Sequence, residues 1–150
     1  MAQTLTSLMV HVVFSTKDRQ PLITPEVEPE LYAYMGGTAN NLSSRSLAAG
    51  GTENHVHLLV SQSKKVALCH LMEEVKKSSS KWIKTKASTF QTFSWQDGYG
   101  AFTIGESQVE ALKLYIGGQK ERHKRQTFEE EFMLLLKKYH VQYDERYLWS

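Results

Sequence analysis

The chain has 150 residues, of which 41% are hydrophobic and 23% charged, with a net charge of +2; these values describe one globular domain long enough to bury a core, and exclude a disordered tail or a disulfide scaffold. No stretch approaches the roughly 18 apolar residues of a membrane span, and residues 1–13 lack the basic opening of a secretion signal, so a cytoplasmic protein without membrane partners is expected. The single cysteine, Cys69, excludes an intrachain disulfide and fits a reducing cytosol; it is expected as a small buried apolar residue on a helix.

Leu8 to Ser15 is apolar and β-branched and reads as a strand. After a polar break at Lys17 to Pro21, Pro25 opens a helix with Thr24 as N-cap, carrying Leu31, Tyr34, Met35 and Leu42 and weakened by Gly36 and Gly37. Arg45 to Gly50 and Asn54 to Ser61 read as a hairpin, with Gly50-Gly51 as the turn signal. Val66 to about Lys86 is a long amphipathic helix, with Leu68, Leu71, Met72, Val75, Ser79, Trp82 and Ile83 on one stripe. Gly98 to Ile104 is a fourth strand, and Ser107 is placed to cap a helix through Val109, Leu112 and Ile116. Thr127 with Glu130 three residues on is a capping box that opens a last helix. The aromatic tail, Tyr143 to Trp149, is expected to pack. The order β-α-β-β-α-β predicts an α+β, ferredoxin-like antiparallel sheet with helices on one face, followed by two more helices, in one domain over residues 1–150.

Charge is unevenly spread. Lys64, Lys65, Lys76, Lys77, Lys81, Lys84 and Lys86 fall in one stretch, and Lys120, Arg122, Lys124 and Arg125 in another. Such runs are commonly solvated helix faces.

Side chains alternate along a strand, so Val56, Leu58 and Val60 point toward the helices while His55, His57 and Leu59 point the other way. Two imidazoles roughly 6 to 7 Å apart along a strand can reach one ion. Such a pair also arises by chance on half-exposed strands, and His11, His70, His123 and His140 carry no assignment. Tyr115 and Gln119 are spaced i and i+4, which puts phenol and amide on one helix face. A glutamine oxygen suits magnesium or manganese, and a tyrosine can be a covalent nucleophile; alone, a tyrosine there is more often packed. Gly117-Gly118 costs a helix about 1 kcal/mol per glycine, and tolerance near a helix end, a close approach and a hinge are equally open.

His-hydrophobe-His on a strand followed by Tyr-x-x-x-Gln on a helix resembles the one-tyrosine HUH single-strand DNA transposases of the insertion-sequence 200/605 family. The resemblance rests on residues 12–17, Asn54-His55-Val56-His57-Leu58-Leu59, Gly98-Tyr99-Gly100-Ala101-Phe102, Tyr115-Ile116 with Gln119, and Phe128-Glu129-Glu130-Glu131-Phe132, in that order over nearly the whole chain. It implies that His55, His57 and Gln119 hold Mg2+ or Mn2+, and that Tyr115 attacks single-stranded DNA at hairpin-marked element ends to give a 5′-phosphotyrosine. It further implies a homodimer in which the tyrosine helix of one chain completes the histidine site of the other. Relatives often carry two histidines directly after the glutamine; here the segment is Gln119-Lys120-Glu121-Arg122-His123, which leaves an outer partner of the site open. In this light Lys76, Lys77, Lys81 and Lys84, with Lys17 and Arg19 after the first strand, become expected phosphate contacts. Phe93 and Trp95 fit equally well as base-stacking or as core residues. No residue stands out as a base for Tyr115. A hairpin-binding protein without strand chemistry and a metal-dependent hydrolase are the competing readings.

Overall fold

The computed structural model describes residues 2–150. These form a four-stranded antiparallel sheet of β1 (Met9–Ser15), β2 (Arg45–Thr52), β3 (His55–Ser61) and β4 (Gly100–Ile104), in the spatial order β2-β3-β1-β4. Helices α1 (Glu28–Asn41) and α2 (Leu68–Ile83) form the two crossovers, and α3 (Val109–Gly117), α4 (Gln119–Arg122) and α5 (Phe128–Lys138) follow β4. This is the ferredoxin-like order expected from the sequence. Among the described residues no helix is long and apolar enough to cross a membrane.

Both faces of the sheet are covered. Val12, Phe14, Val56, Leu58 and Val60 pack against Leu31 and Met35 of α1 and Leu71, Met72, Val75 and Ile83 of α2. Each such fully buried side chain contributes about 1.5–3 kcal/mol of transfer free energy. The opposite face carries His11, Val13, His55, His57, Leu59 and Phe102, as the strand registers require. There Leu59 and Ile104 pack on Val109 and Ile116 of α3, while Val13 and Phe102 pack on Phe128, Leu135 and Leu136 of α5. The helices added after β4 thus roof the histidine face.

Several local expectations shift. Gly50 and Gly51 lie inside β2, not in a turn; the chain reverses at Glu53 and Asn54. Gly50 is required because a Cβ there would stand 2.2 Å from the Ile116 carbonyl oxygen, so α3 crosses β2 almost in backbone contact. Thr24 accepts from the Val27 N–H at 3.4 Å, but the helix proper starts at Glu28. A single 3-10 turn, Glu106–Gln108, leads into α3, with Gln108 and not Ser107 bonding back to Gly105. Thr127 does cap α5, accepting from Glu130 N at 3.1 Å.

Cys69 is exposed, not buried. It sits in the first turn of α2, before the apolar stripe meets the core at Leu71. Phe93 and Trp95 are core residues, 2% and 7% exposed, and Trp95 Nε1 donates to Ser79 Oγ at 3.0 Å; base stacking by these two is excluded. In the tail, Trp149 packs on Phe132 and under Arg19, while Tyr147 remains exposed.

Candidate active site

β3 lies between β1 and β2 in the sheet, so His55 and His57 are both 0% exposed beneath the α3–α5 roof. Their outer nitrogens are anchored by the fold. His55 Nδ1 lies 2.8 Å from Asn54 Oδ1 and 2.9 Å from Thr52 Oγ1. Asn54 Nδ2 donates to the Arg19 carbonyl, and Thr52 Oγ1 donates to Asn54 Oδ1. Asn54 Oδ1 accepts, and the tautomer with the proton on His55 Nδ1 is the one that frees Nε2 to ligate an ion. His57 Nδ1 is held at 2.8 Å by His11 Nε2, which arrives from the neighbouring β1 on the same face.

Opposite these rings is Glu131 of α5, 1% exposed. Its Oε1 lies 3.1 Å from His57 Nε2, 3.5 Å from His55 Nε2 and 2.8 Å from His123 Nε2. Its Oε2 accepts from the Tyr115 hydroxyl and, at 2.9 Å, from Gln119 Nε2. The latter bond orients the amide so that Gln119 Oε1 faces His55 Nε2 at 2.9 Å. The helix breaks at Gly118, so Tyr115 closes α3 and Gln119 opens α4; both still reach the same carboxylate oxygen. One chain joins its own Tyr115 and Gln119 to its own histidines, and a second chain is not needed to bring them together.

Burial first, then the neighbouring His57, pushes both His11 and His55 down to about 3, so both rings stay neutral at physiological pH. Burial alone would raise the Glu131 carboxyl; hydrogen bonds from His123 and His57 outweigh it and hold the group well below the carboxylate range. Burial, then the bond to Glu131, raises the Tyr115 phenol, with Arg122 opposing. The resting phenol is fully protonated.

Candidate ligand atoms converge on one point. His55 Nε2, His57 Nε2 and a Glu131 oxygen lie within 4.8 Å of one another, with Gln119 Oε1 beside them. Two imidazoles, a carboxylate and an amide oxygen make a donor set for a divalent cation.

Glu131, His11 and His123 went unassigned from the sequence. Glu131 had a signal: it follows Phe128 by three residues and precedes Leu135 by four, a carboxylate on the buried stripe of α5. His123 continues the spacing of four from Tyr115 through Gln119, and fills the outer position left open by the departure from the adjacent-histidine pattern. The expected phosphate contacts divide. Lys76 donates to the Gln96 and Gly98 carbonyls at 2.6 Å each, and Arg19 lies over Trp149 and donates to its carbonyl; both are internal struts. Lys84 donates to Ser80 Oγ. Lys17, Lys77 and Lys81 are exposed and have no ion pair among the described residues.

A structure of a candidate transposase from Deinococcus radiodurans R1 is similar, with TM-score 0.62 and 19% identity, covering 77% of this chain and 93% of that one. A REP-associated tyrosine transposase bound to a REP hairpin is similar with TM-score 0.57 and 11% identity, covering 77% of this chain and 70% of that one. At these identities both show the shared fold. No curated protein matches the sequence. The family described as "Transposase IS200 like" matches residues 4–119, which takes in all four strands, both histidines, Tyr115 and Gln119. With that span matched and the fold shared, the chain belongs to the IS200-like transposase family.

Proposed function

We propose that this transposase cleaves and rejoins single-stranded DNA at hairpin-marked element ends, with Tyr115 as the nucleophile and Mg2+ or Mn2+ held by His55, His57, Gln119 and Glu131. The observation that carries the reading is the convergence of His55, His57 and Glu131 ligand atoms on one point, one carboxylate away from the Tyr115 hydroxyl. A bound divalent ion there would stabilise charge developing on the scissile phosphate and the leaving 3′ oxygen.

The chain's own residues do the rest. Glu131 Oε2 accepts from the Tyr115 hydroxyl and so holds the attacking oxygen in place. As the bond from Tyr115 Oη to phosphorus forms, the bond from phosphorus to the 3′ oxygen breaks. That oxygen leaves with the electron pair and becomes a 3′-hydroxyl by gaining one proton, which balances the one the phenol gives up. The phosphodiester energy is kept in the tyrosine ester, so another strand's 3′-hydroxyl can reverse the step without ATP. Lys17, Lys77 and Lys81 are the exposed cations that remain available to hairpin phosphates.

The test is incubation of the chain with Mn2+ and labelled hairpin oligonucleotides, read on a denaturing gel. A protein-linked strand that disappears in Tyr115→Phe, with DNA binding retained, supports the reading. Cleavage that survives in Tyr115→Phe without an adduct identifies a hydrolase, and no cleavage of any strand identifies a hairpin binder. Whether two chains share a site, as a homodimer exchanging its tyrosine helices would, is tested by mixing Tyr115→Phe chains with His57→Ala chains: recovered cleavage means that they do, and none means that each chain uses its own Tyr115.

A further inference from the structure

The second basic run of the sequence, Lys120 to Arg125, is not absorbed by the metal or by the hairpin surface. Its four cations behave differently. Lys120 pairs with Glu28 at 2.5 Å and Lys124 with Glu121 at 2.8 Å. Arg122 and Arg125 have no carboxylate partner and no side-chain hydrogen bond among the described residues. Both line an open cleft of about 620 Å3, together with Leu114, Tyr115, Gly118, Gln126 and Glu121, whose carboxylate is paired with Lys124. That volume lies within the usual range for small-ligand sites, about 300–1,000 Å3. The Arg122 guanidinium carbon sits 4.4 Å from the centre of the Tyr115 ring. Leu114 is 81% exposed at the same wall, an apolar surface next to two unpaired cations.

We propose that this cleft seats the single strand as it enters the active site, with Arg122 and Arg125 holding phosphates beside Tyr115 and Leu114 meeting an unpaired base. The nucleophile is the shared wall: its hydroxyl turns inward to Glu131 and its ring faces the cleft. A guanidinium is a planar fork that matches two phosphate oxygens, is charged at every working pH, and stacks on an aromatic ring without losing its donors. Arg122 does that stacking on Tyr115 itself, so a phosphate gripped by Arg122 is placed next to the residue that would attack it. The inference rests on the reading of Tyr115 as nucleophile for its chemical consequence, but strand binding in the cleft can be measured without any chemistry.

The experiment therefore uses the Tyr115→Phe chain, which cannot form an adduct, and a fluorescent oligonucleotide without self-complementarity. Binding is followed by anisotropy at several salt concentrations. Arg122→Gln with Arg125→Gln is expected to weaken binding at least tenfold and to lower the salt slope by about 1.4, from two single-strand phosphate contacts of about 0.7 each. Lys86→Gln with Lys120→Gln removes the same charge from residues paired with Glu30 and Glu28 outside the cleft, and is expected to change both quantities far less. Equal losses in the two double variants, or wild-type binding in the arginine variant, overturn the proposal. With Tyr115 restored, Arg122→Lys should recover strand affinity while the adduct rate at saturating DNA stays reduced. An adduct that forms without Tyr115 would refute the nucleophile and leave the binding result standing.

Discussion

Gly50→Ala is the sharpest probe of how the fold positions the nucleophile. The added Cβ would lie 2.2 Å from the Ile116 carbonyl oxygen and 2.9 Å from Ile116 Cγ2. Ordinary contact begins near 3.4 Å, so α3 must retreat from β2 by about 1.2 Å (3.4 minus 2.2) at the residue next to Tyr115. Neither side yields cheaply, because the contact sets a β2 backbone paired along β3 against the backbone of α3. Overpacking of this kind costs about 1–3 kcal/mol of stability, and a shift of about 1 Å at a reacting group costs on the order of 100-fold in rate. Urea unfolding reads the first and single-turnover adduct formation with a labelled strand reads the second. Gly117→Ala is the control: its Cβ would meet nothing within 4 Å, and alanine favours the helix by up to about 1 kcal/mol. A Gly50→Ala chain with wild-type stability and adduct rate would refute the claim that α3 is seated by this contact.

Glu131→Gln keeps the shape and removes the charge; it should weaken Mn2+ binding by about 10–100-fold in a calorimetric titration, and unchanged affinity would remove Glu131 from the site. Acid should destabilise the metal-free chain. His11 and His55 bind protons only near pH 3 when folded but near 6.5 when unfolded, so stability is present above 6.5 and falls as pH drops below it, by about 1.4 kcal/mol per pH unit for each histidine. Glu131, also depressed in the fold, adds loss in the same direction once its unfolded form starts to titrate. Urea unfolding in EDTA from pH 7.5 to 5 checks this, and a flat profile contradicts it. Lys76→Met should cost about 1–3 kcal/mol of stability by leaving the Gln96 and Gly98 carbonyls unpaired, with no change in the salt dependence of DNA binding. Lys77→Gln with Lys81→Gln should do the reverse.

The sheet and its order were legible because alternation and helical periodicity are strong where each strand has one buried face. The histidine pair was legible because strand alternation puts both rings on one face; the tyrosine-glutamine spacing pointed to one helix, whereas the two residues lie on α3 and α4 and meet at Glu131. Glu131 was not, because a capping box and an acidic run at the start of α5 already explain a glutamate there; only its position on the apolar stripe separates it from Glu129 and Glu130. His11 looked like an ordinary residue on a core strand, and its role depends on its neighbour β3, a contact 46 residues away. The basic runs misled in a similar way. Charge pattern alone does not separate Lys76, spent on loop carbonyls, from Lys77 beside it, which is exposed. The Gly50-Gly51 pair read as a turn, when the constraint is a helix arriving from 66 residues later (116 minus 50).

The central claim is a covalent bond between DNA and one tyrosine. After reaction with a hairpin substrate and Mn2+, trypsin cuts after Lys113 and Lys120 and releases residues 114–120 with Tyr115 as the tyrosine it contains. Mass spectrometry of nuclease-trimmed digests should find that peptide carrying a 5′-linked nucleotide on Tyr115. Cleaved DNA with this peptide unmodified, or the nucleotide on another residue, would contradict the account.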